Sequence, residues 1–202
     1  DSYDEIKELL AEYRKETGYK MAVKGIGKSL EITASGISSH GARPEKGLNA
    51  ISVMMGFLCK IGIVNDDMAD FIDFFNSHIG FDLHGGRIGC DFSDEASGKL
   101  IFNVGMVRSD NEAGKLTVNI RYPVTIDDET VYNGMMSYLD KYDLGVVKLN
   151  HQPPIYIPSD DPLITTLMEV YRRHTGDKES KAMIIGGGTY ARSMENAVAF
   201  GM

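Results

Sequence analysis

The chain has 202 residues, 43% of them hydrophobic and 25% charged, enough for one large globular domain or for one domain and part of another. A net charge of −8 and the lack of any Lys/Arg cluster exclude a phosphate-binding surface, and with it nucleic acid as a partner. The longest apolar stretch, Ile51 to Ile63, is broken by Ser52, Gly56 and Lys60. It falls short of the ~20 residues of a membrane span, so no membrane partner is expected.

The amino end has neither the positive region nor the apolar core of a signal peptide. Cys59 and Cys90 are too few for a disulfide framework. Both facts fit a reducing cytoplasm. The chain opens at Asp1 without a Met and stops at Met202 just after the apolar Ala197–Phe200, so a piece of a longer protein is expected.

In chain order, Ile6, Leu9, Leu10 and Tyr13 recur at helical spacing over 3–16, and Gly18 stops the helix. Lys20–Val23 and Ser29–Ser35 read as a hairpin around Gly25-Ile26-Gly27. A loop from Gly36 to Lys46 leads into a helix over 47–62 and a second over 66–79. The Gly-, Asp- and Ser-rich stretch 80–98 predicts an irregular excursion. Leu100–Arg108 and Lys115–Arg121 form a second hairpin, with Leu116, Val118 and Ile120 on one face. A helix over 127–141 and a strand over Val146–Leu149 follow.

The Pro-rich segment from Gln152 to Pro162 marks a boundary. Beyond it come a helix over 162–174, opened by its proline, and a short strand, Ala182–Ile185, running into Gly186-Gly187-Gly188-Thr189. The predicted fold class is α+β: an antiparallel sheet with helices on one face over residues 1–154, then a partial α/β segment over 155–202.

Three features could carry chemistry. His40 lies on a small-residue loop, free to project its ring and to donate a hydrogen bond to an oxyanion. Arg121 ends a strand, where a guanidinium can fork onto a carboxylate. Gly186, Gly187 and Gly188 with Thr189 let a backbone approach a ligand and offer N–H groups to an anion. Taken singly, these read equally well as an exposed loop histidine, a sheet-edge arginine and a tight turn.

The P-loop and dinucleotide fingerprints are not met, and neither cysteine has a histidine in its sequence context. His78, His84, His151 and His174 show no metal-ligand spacing, so no metal ligand is assigned. The acidic pairs Asp66-Asp67, Asp127-Asp128 and Asp160-Asp161 stand beside helix starts, where carboxylates cap.

The order of the three features changes their weight. Gly36-Ile37-Ser38-Ser39-His40-Gly41-Ala42-Arg43-Pro44, with Glu45 to Ala50, resembles the lid loop of the aminoacylase/carboxypeptidase superfamily of zinc peptidases. Val118 to Pro123 is similar to the lid strand carrying that family's substrate arginine. Gly186-Gly187-Gly188-Thr189-Tyr190-Ala191-Arg192 is similar to the glycine loop that returns to the catalytic domain, in the form found in PepV-type dinuclear zinc dipeptidases.

The resemblance implies a substrate-capping lid domain and part of a zinc-peptidase catalytic domain, acting on dipeptides. It makes His40 the catalytic oxyanion donor. Arg121, Gly187, Gly188 and Thr189 become the binders of the substrate's C-terminal carboxylate. Two zinc ions belong to such an enzyme, and their ligands have no counterpart in this sequence, so this chain alone is expected to bind no catalytic zinc and to be inactive. The alternatives are a non-catalytic lid that self-associates through its sheet, and an amidohydrolase or deacylase of the same superfamily.

Overall fold

A computed structural model describes residues 3–62, 66–110, 113–185 and 188–201. Helix α1 (Tyr3–Thr17) carries Asp4 and Glu5 in its first turn and Arg14 and Lys15 in its last, both complementing the helix dipole. It buries Ile6, Leu10 and Tyr13 on one stripe and closes where the Gly18 N–H donates to Arg14 O at 2.9 Å. Strands β1 (Lys20–Ile26) and β2 (Ser29–Ser35) pair antiparallel, with Lys20 opposite Ser35 and Ile26 opposite Ser29.

Helix α2 (Ala50–Ile61) is capped by Asn49, whose Oδ1 accepts from Ile51 N at 2.9 Å. This helix is apolar around most of its circumference because it separates two cores. Val53 and Phe57 pack into the smaller core with Ile6, Leu10, Tyr13 and Met21. Met55, with the partly buried Ile51 and Leu58, packs into the larger core of Phe74, Phe75, Leu100, Phe102, Val104, Val131 and Met135. Asn76 of helix α3 (Asp66–His78) fastens the two helices by donating to Met55 O at 3.0 Å.

The excursion holds a 3₁₀ turn, Gly86–Ile88, and two short strands, β3 (Ser93–Asp94) and β4 (Gly98–Lys99). Strands β5 (Ile101–Ser109) and β6 (Gly114–Arg121) then pair antiparallel, Ile101 opposite Arg121 and Asn103 opposite Asn119, with a register shift between Val104 and Met106. Phe102 and Val104 are buried, and Val118 and Ile120 pack beside them, so Ile101, Asn103, Asn119 and Arg121 face away from the core. Helix α4 (Asp128–Leu139) is capped by Asp127, which accepts from Thr130 N at 2.6 Å. Helix α5 (Pro162–Thr175) starts on the Asp161 cap, with proline in its first turn, and contains no buried residue.

The α+β class holds, and its sheet is divided: the described strands form three separate two-stranded sheets rather than one continuous sheet. Two expected strands are not strands. Val146–Leu149 and Ala182–Ile185 run without a pairing partner, and Val147 and Leu149 are 80% and 78% exposed. Among the described residues, no helix is long and apolar enough to cross a membrane.

Candidate functional site

The loop between β2 and α2 is pinched at its neck. Ile37 N donates to Leu48 O and Leu48 N to Ile37 O, both at 2.9 Å. The neck admits no side chain on either flank: a Cβ on Gly36 would lie 2.3 Å from Leu48 O, and one on Gly47 would lie 2.5 Å from Ile37 O. Inside the loop, the Arg43 N–H donates to His40 O at 2.7 Å, and Pro44–Lys46 forms a 3₁₀ turn. Asn49 anchors the loop's far end, since its Nδ2 donates to Val104 O of β5 at 2.8 Å.

His40 sits exposed at the head of this loop. The Ala42 N–H donates to its Nδ1 at 3.1 Å. A ring nitrogen that accepts carries no proton, so the proton of the neutral imidazole resides on Nε2. The loop's own backbone therefore sets the ring up as an Nε2–H donor, the state that stabilising an oxyanion requires.

Arg121 comes to the same place. A Cβ on Gly41 would stand 3.8 Å from Arg121 Nη2 and 3.9 Å from Asn103 Nδ2. The structure thus brings together the His40 loop and the end of β6 on the outer face of the β5–β6 hairpin. Arg121 Nε is buried without a hydrogen-bond partner among the described residues. A buried donor left open costs about 1–3 kcal/mol unless something accepts from it. Arg121 Nη2 and Asn103 Nδ2 are both donors, so this corner favours an anionic acceptor. Asn103 belongs to this corner, and the sequence reading missed it. The pattern that could have shown it is its register: it lies on the non-core face of β5, diagonal to Arg121 across the hairpin.

The third motif is only partly visible. Gly187 and Gly186 lie outside the described residues. Gly188 is exposed, and Thr189 precedes a 3₁₀ turn, Tyr190–Ser193, closed by Arg192 N donating to Thr189 O at 3.1 Å. Among the described residues, a hydrogen bond from Arg192 Nη1 to Pro153 O at 2.7 Å ties this segment to a distant part of the chain. A groove between α1 and β1, lined by Arg14, Lys15, Tyr19 and Lys20, contains none of these residues.

Several other ionisable groups have structural partners. Asp82 accepts from the backbone of His84 and Arg87, at 2.8 and 2.9 Å, and these bonds outweigh its partial burial to hold its carboxyl below the usual range. His84 Nδ1 bonds Leu100 O at 2.8 Å, which fastens that turn to β5. Burial pushes the Cys90 thiol up to about 11, so it stays protonated and unreactive. Among the described residues, no three His, Cys, Asp or Glu side chains lie close enough to hold a metal ion. The described residues therefore do not fit a dinuclear zinc centre.

Comparison with known proteins gives the family. The family model described as the peptidase dimerisation domain, M20_dimer, matches residues 22–140. That range takes in the His40 loop, Asn103 and Arg121. The chain is 33% identical over 173 residues, 85% of its length, to proteins named putative dipeptidases in Staphylococcus aureus strains USA300, NCTC 8325 and MRSA252. It spans 36% of the length of these curated relatives. With more than half of its residues matched, the chain belongs to the peptidase dimerisation domain family of the M20 peptidases.

Proposed function

We propose that this chain supplies the substrate-capping lid of a zinc-dependent dipeptidase, with the lid over residues 1–154 and a part of the catalytic domain over 155–202. The observation that carries the reading is the convergence at Gly41: a histidine loop prepared as a donor meets a guanidinium whose Nε is buried and open. In this reading His40 Nε2–H stabilises the oxyanion that forms when water attacks the scissile carbonyl. Arg121, with Asn103 beside it, holds the C-terminal carboxylate, and the backbone of Gly187, Gly188 and Thr189 completes that hold.

The zinc ions would supply the activated water, held by residues other than those described here. The chain alone is accordingly inactive, and its unpaired cysteines suit a cytoplasmic setting. A carboxylate hold explains a preference for dipeptides, because a longer substrate has no carboxylate at that position.

The test is carried out in a protein of the relatives' full length that contains this sequence. Free dipeptides are compared with their C-terminal amides, before and after Arg121→Ala. The expected result is that the amide is a poor substrate and that Arg121→Ala raises KM for the free dipeptide at least 10-fold, removing the discrimination. Equal cleavage of amide and acid by the unmutated protein would overturn the carboxylate assignment.

A second reading, self-association through the lid, is favoured by β1–β2: the sheet has two strands only, and both outer edges lack a strand neighbour among the described residues.

A further inference from the structure

The linker at the boundary of the two proposed domains is held at His151 and Pro153 by side chains that the reading above has not used. On one side, the Tyr122 hydroxyl and His151 Nε2 share a hydrogen bond of 2.6 Å, and the two rings stack with centroids 6.0 Å apart and planes 17° from parallel. Asp128 Oδ1 lies 3.8 Å from the same nitrogen, and Lys148 pairs with the other oxygen of that carboxylate. On the other side, two residues further along, Pro153 O accepts from Arg192 Nη1 at 2.7 Å. Tyr122 is the residue after Arg121, and Arg192 lies in the turn that follows Gly188 and Thr189.

One nitrogen of the Arg192 guanidinium, Nε, is also buried, without a partner among the described residues, and a Cβ on Gly188 would stand 3.7 Å from it. Its planar fork therefore spans from the glycine loop to the linker backbone, which a flexible point charge would do less rigidly. Nothing else in the 144–157 stretch gives it regular structure, since it forms neither helix nor strand. Two short hydrogen bonds and a ring stack, with the Lys148–Asp128 pair, thus fix this linker's course.

We propose that Tyr122, His151 and Arg192 form a clasp around residues 151–153 that sets the position of the Gly188–Thr189 loop relative to Arg121. These are positioning residues, and the proposal rests on the reading of Arg121 and the glycine loop as joint holders of the substrate carboxylate. The clasp links two parts of that hold through the linker. It also makes the linker a specificity element, because a shift of Pro153 moves the loop and leaves β6 in place.

The test uses the 202-residue chain and needs no turnover. Backbone exchange of Arg192 and Met194, whose N–H groups bond Thr189 O and Ala191 O at 3.1 Å, reports the loop. The imidazole nitrogen resonances of His151, followed by NMR, report the other end. Tyr122→Phe removes the hydroxyl and keeps the ring, while Arg192→Met keeps the stem and removes the fork.

The clasp predicts that each variant acts at both ends. Tyr122→Phe speeds exchange at Arg192 and Met194 at least 5-fold, and Arg192→Met shifts the His151 resonances, with β5–β6 amides unchanged. The double variant adds little beyond either single one. Effects confined to each variant's own end, or additive in the double variant, would overturn the clasp. A carboxylate hold that fails the amide comparison would leave this coupling measurable, so the two failures are told apart.

Discussion

At the scale of single residues, two glycines do more for the site than any charged group in its loop. Gly36 and Gly47 stand where the backbone of the neck passes within contact distance, and a methyl on Gly36 would sit 2.3 Å from Leu48 O. Relief requires the Ile37–Leu48 bridge to open. Gly36→Ala is therefore expected to destabilise the protein by about 1–3 kcal/mol, the usual cost of overpacking, and to lower Tm in thermal denaturation. The same change at Gly25, where a Cβ meets nothing, should leave Tm almost unaffected. The sequence showed these glycines flanking His40 and did not show why they are there, since the close approach is to carbonyls some twelve residues away. His40's tautomer was likewise invisible, because it depends on one backbone N–H of the folded loop.

At the scale of elements, the five helices were legible to within three residues at each end, because their caps, prolines and apolar stripes are local signals. The strands over 146–149 and 182–185 were not. Their apolar residues suggested pairing, yet β structure is stabilised by neighbours, and Val147 and Leu149 have almost none. The excursion is irregular as composition foretold, but it is fixed by a close approach. Gly89 and Gly134 bring the 3₁₀ turn against α4, where a Cβ on either would meet the other's carbonyl oxygen at 2.2 and 2.4 Å. That packing explains a glycine in mid-helix.

Helix α2 carries the clearest element-level prediction. Phe57 is fully buried in the smaller core, its ring 5.5 Å from that of Tyr13, whereas Met55 belongs to the larger one. Phe57→Ala should cost about 3–5 kcal/mol and Met55→Ala about 2–5 kcal/mol. Hydrogen exchange separates them: the first loosens α1 and β1, the second β5 and α4. Equal loosening throughout would mean that α2 does not divide two cores.

At the scale of the whole molecule, one carboxylate of the excursion reaches the turn that follows β6. Asp94 accepts from Ser97 N and Oγ at 2.5 and 2.8 Å and from Thr125 N and Oγ1 at 3.1 and 3.0 Å, so β3 is bound to the turn before α4. These bonds, outweighing desolvation, hold its carboxyl at about 2. The folded value lies below the ordinary one of ~3.9, so the contribution is complete above that pH and is lost as pH falls through about 2. Asp94→Asn should flatten the acid limb of the stability profile measured by denaturant unfolding between pH 2 and 4. An unchanged limb would show that the carboxylate does not tie these elements.

The approach of the His40 loop to Arg121, through Gly41, could be anticipated only from the order of motifs, not from any spacing along the chain. It depends on Asn49 fixing the loop to β5 and on the β5–β6 register presenting Arg121 outward. Asn103 went unread for the same reason, as one polar residue of an alternating strand.

The most direct test of the lid assignment is the turnover of a free dipeptide with Zn²⁺ by a protein of the relatives' length containing this sequence, with and without His40→Ala. The account predicts hydrolysis by the unmutated protein and a fall in kcat of about 10²- to 10³-fold in the variant, with a smaller change in KM. Turnover that survives His40→Ala unchanged would contradict it.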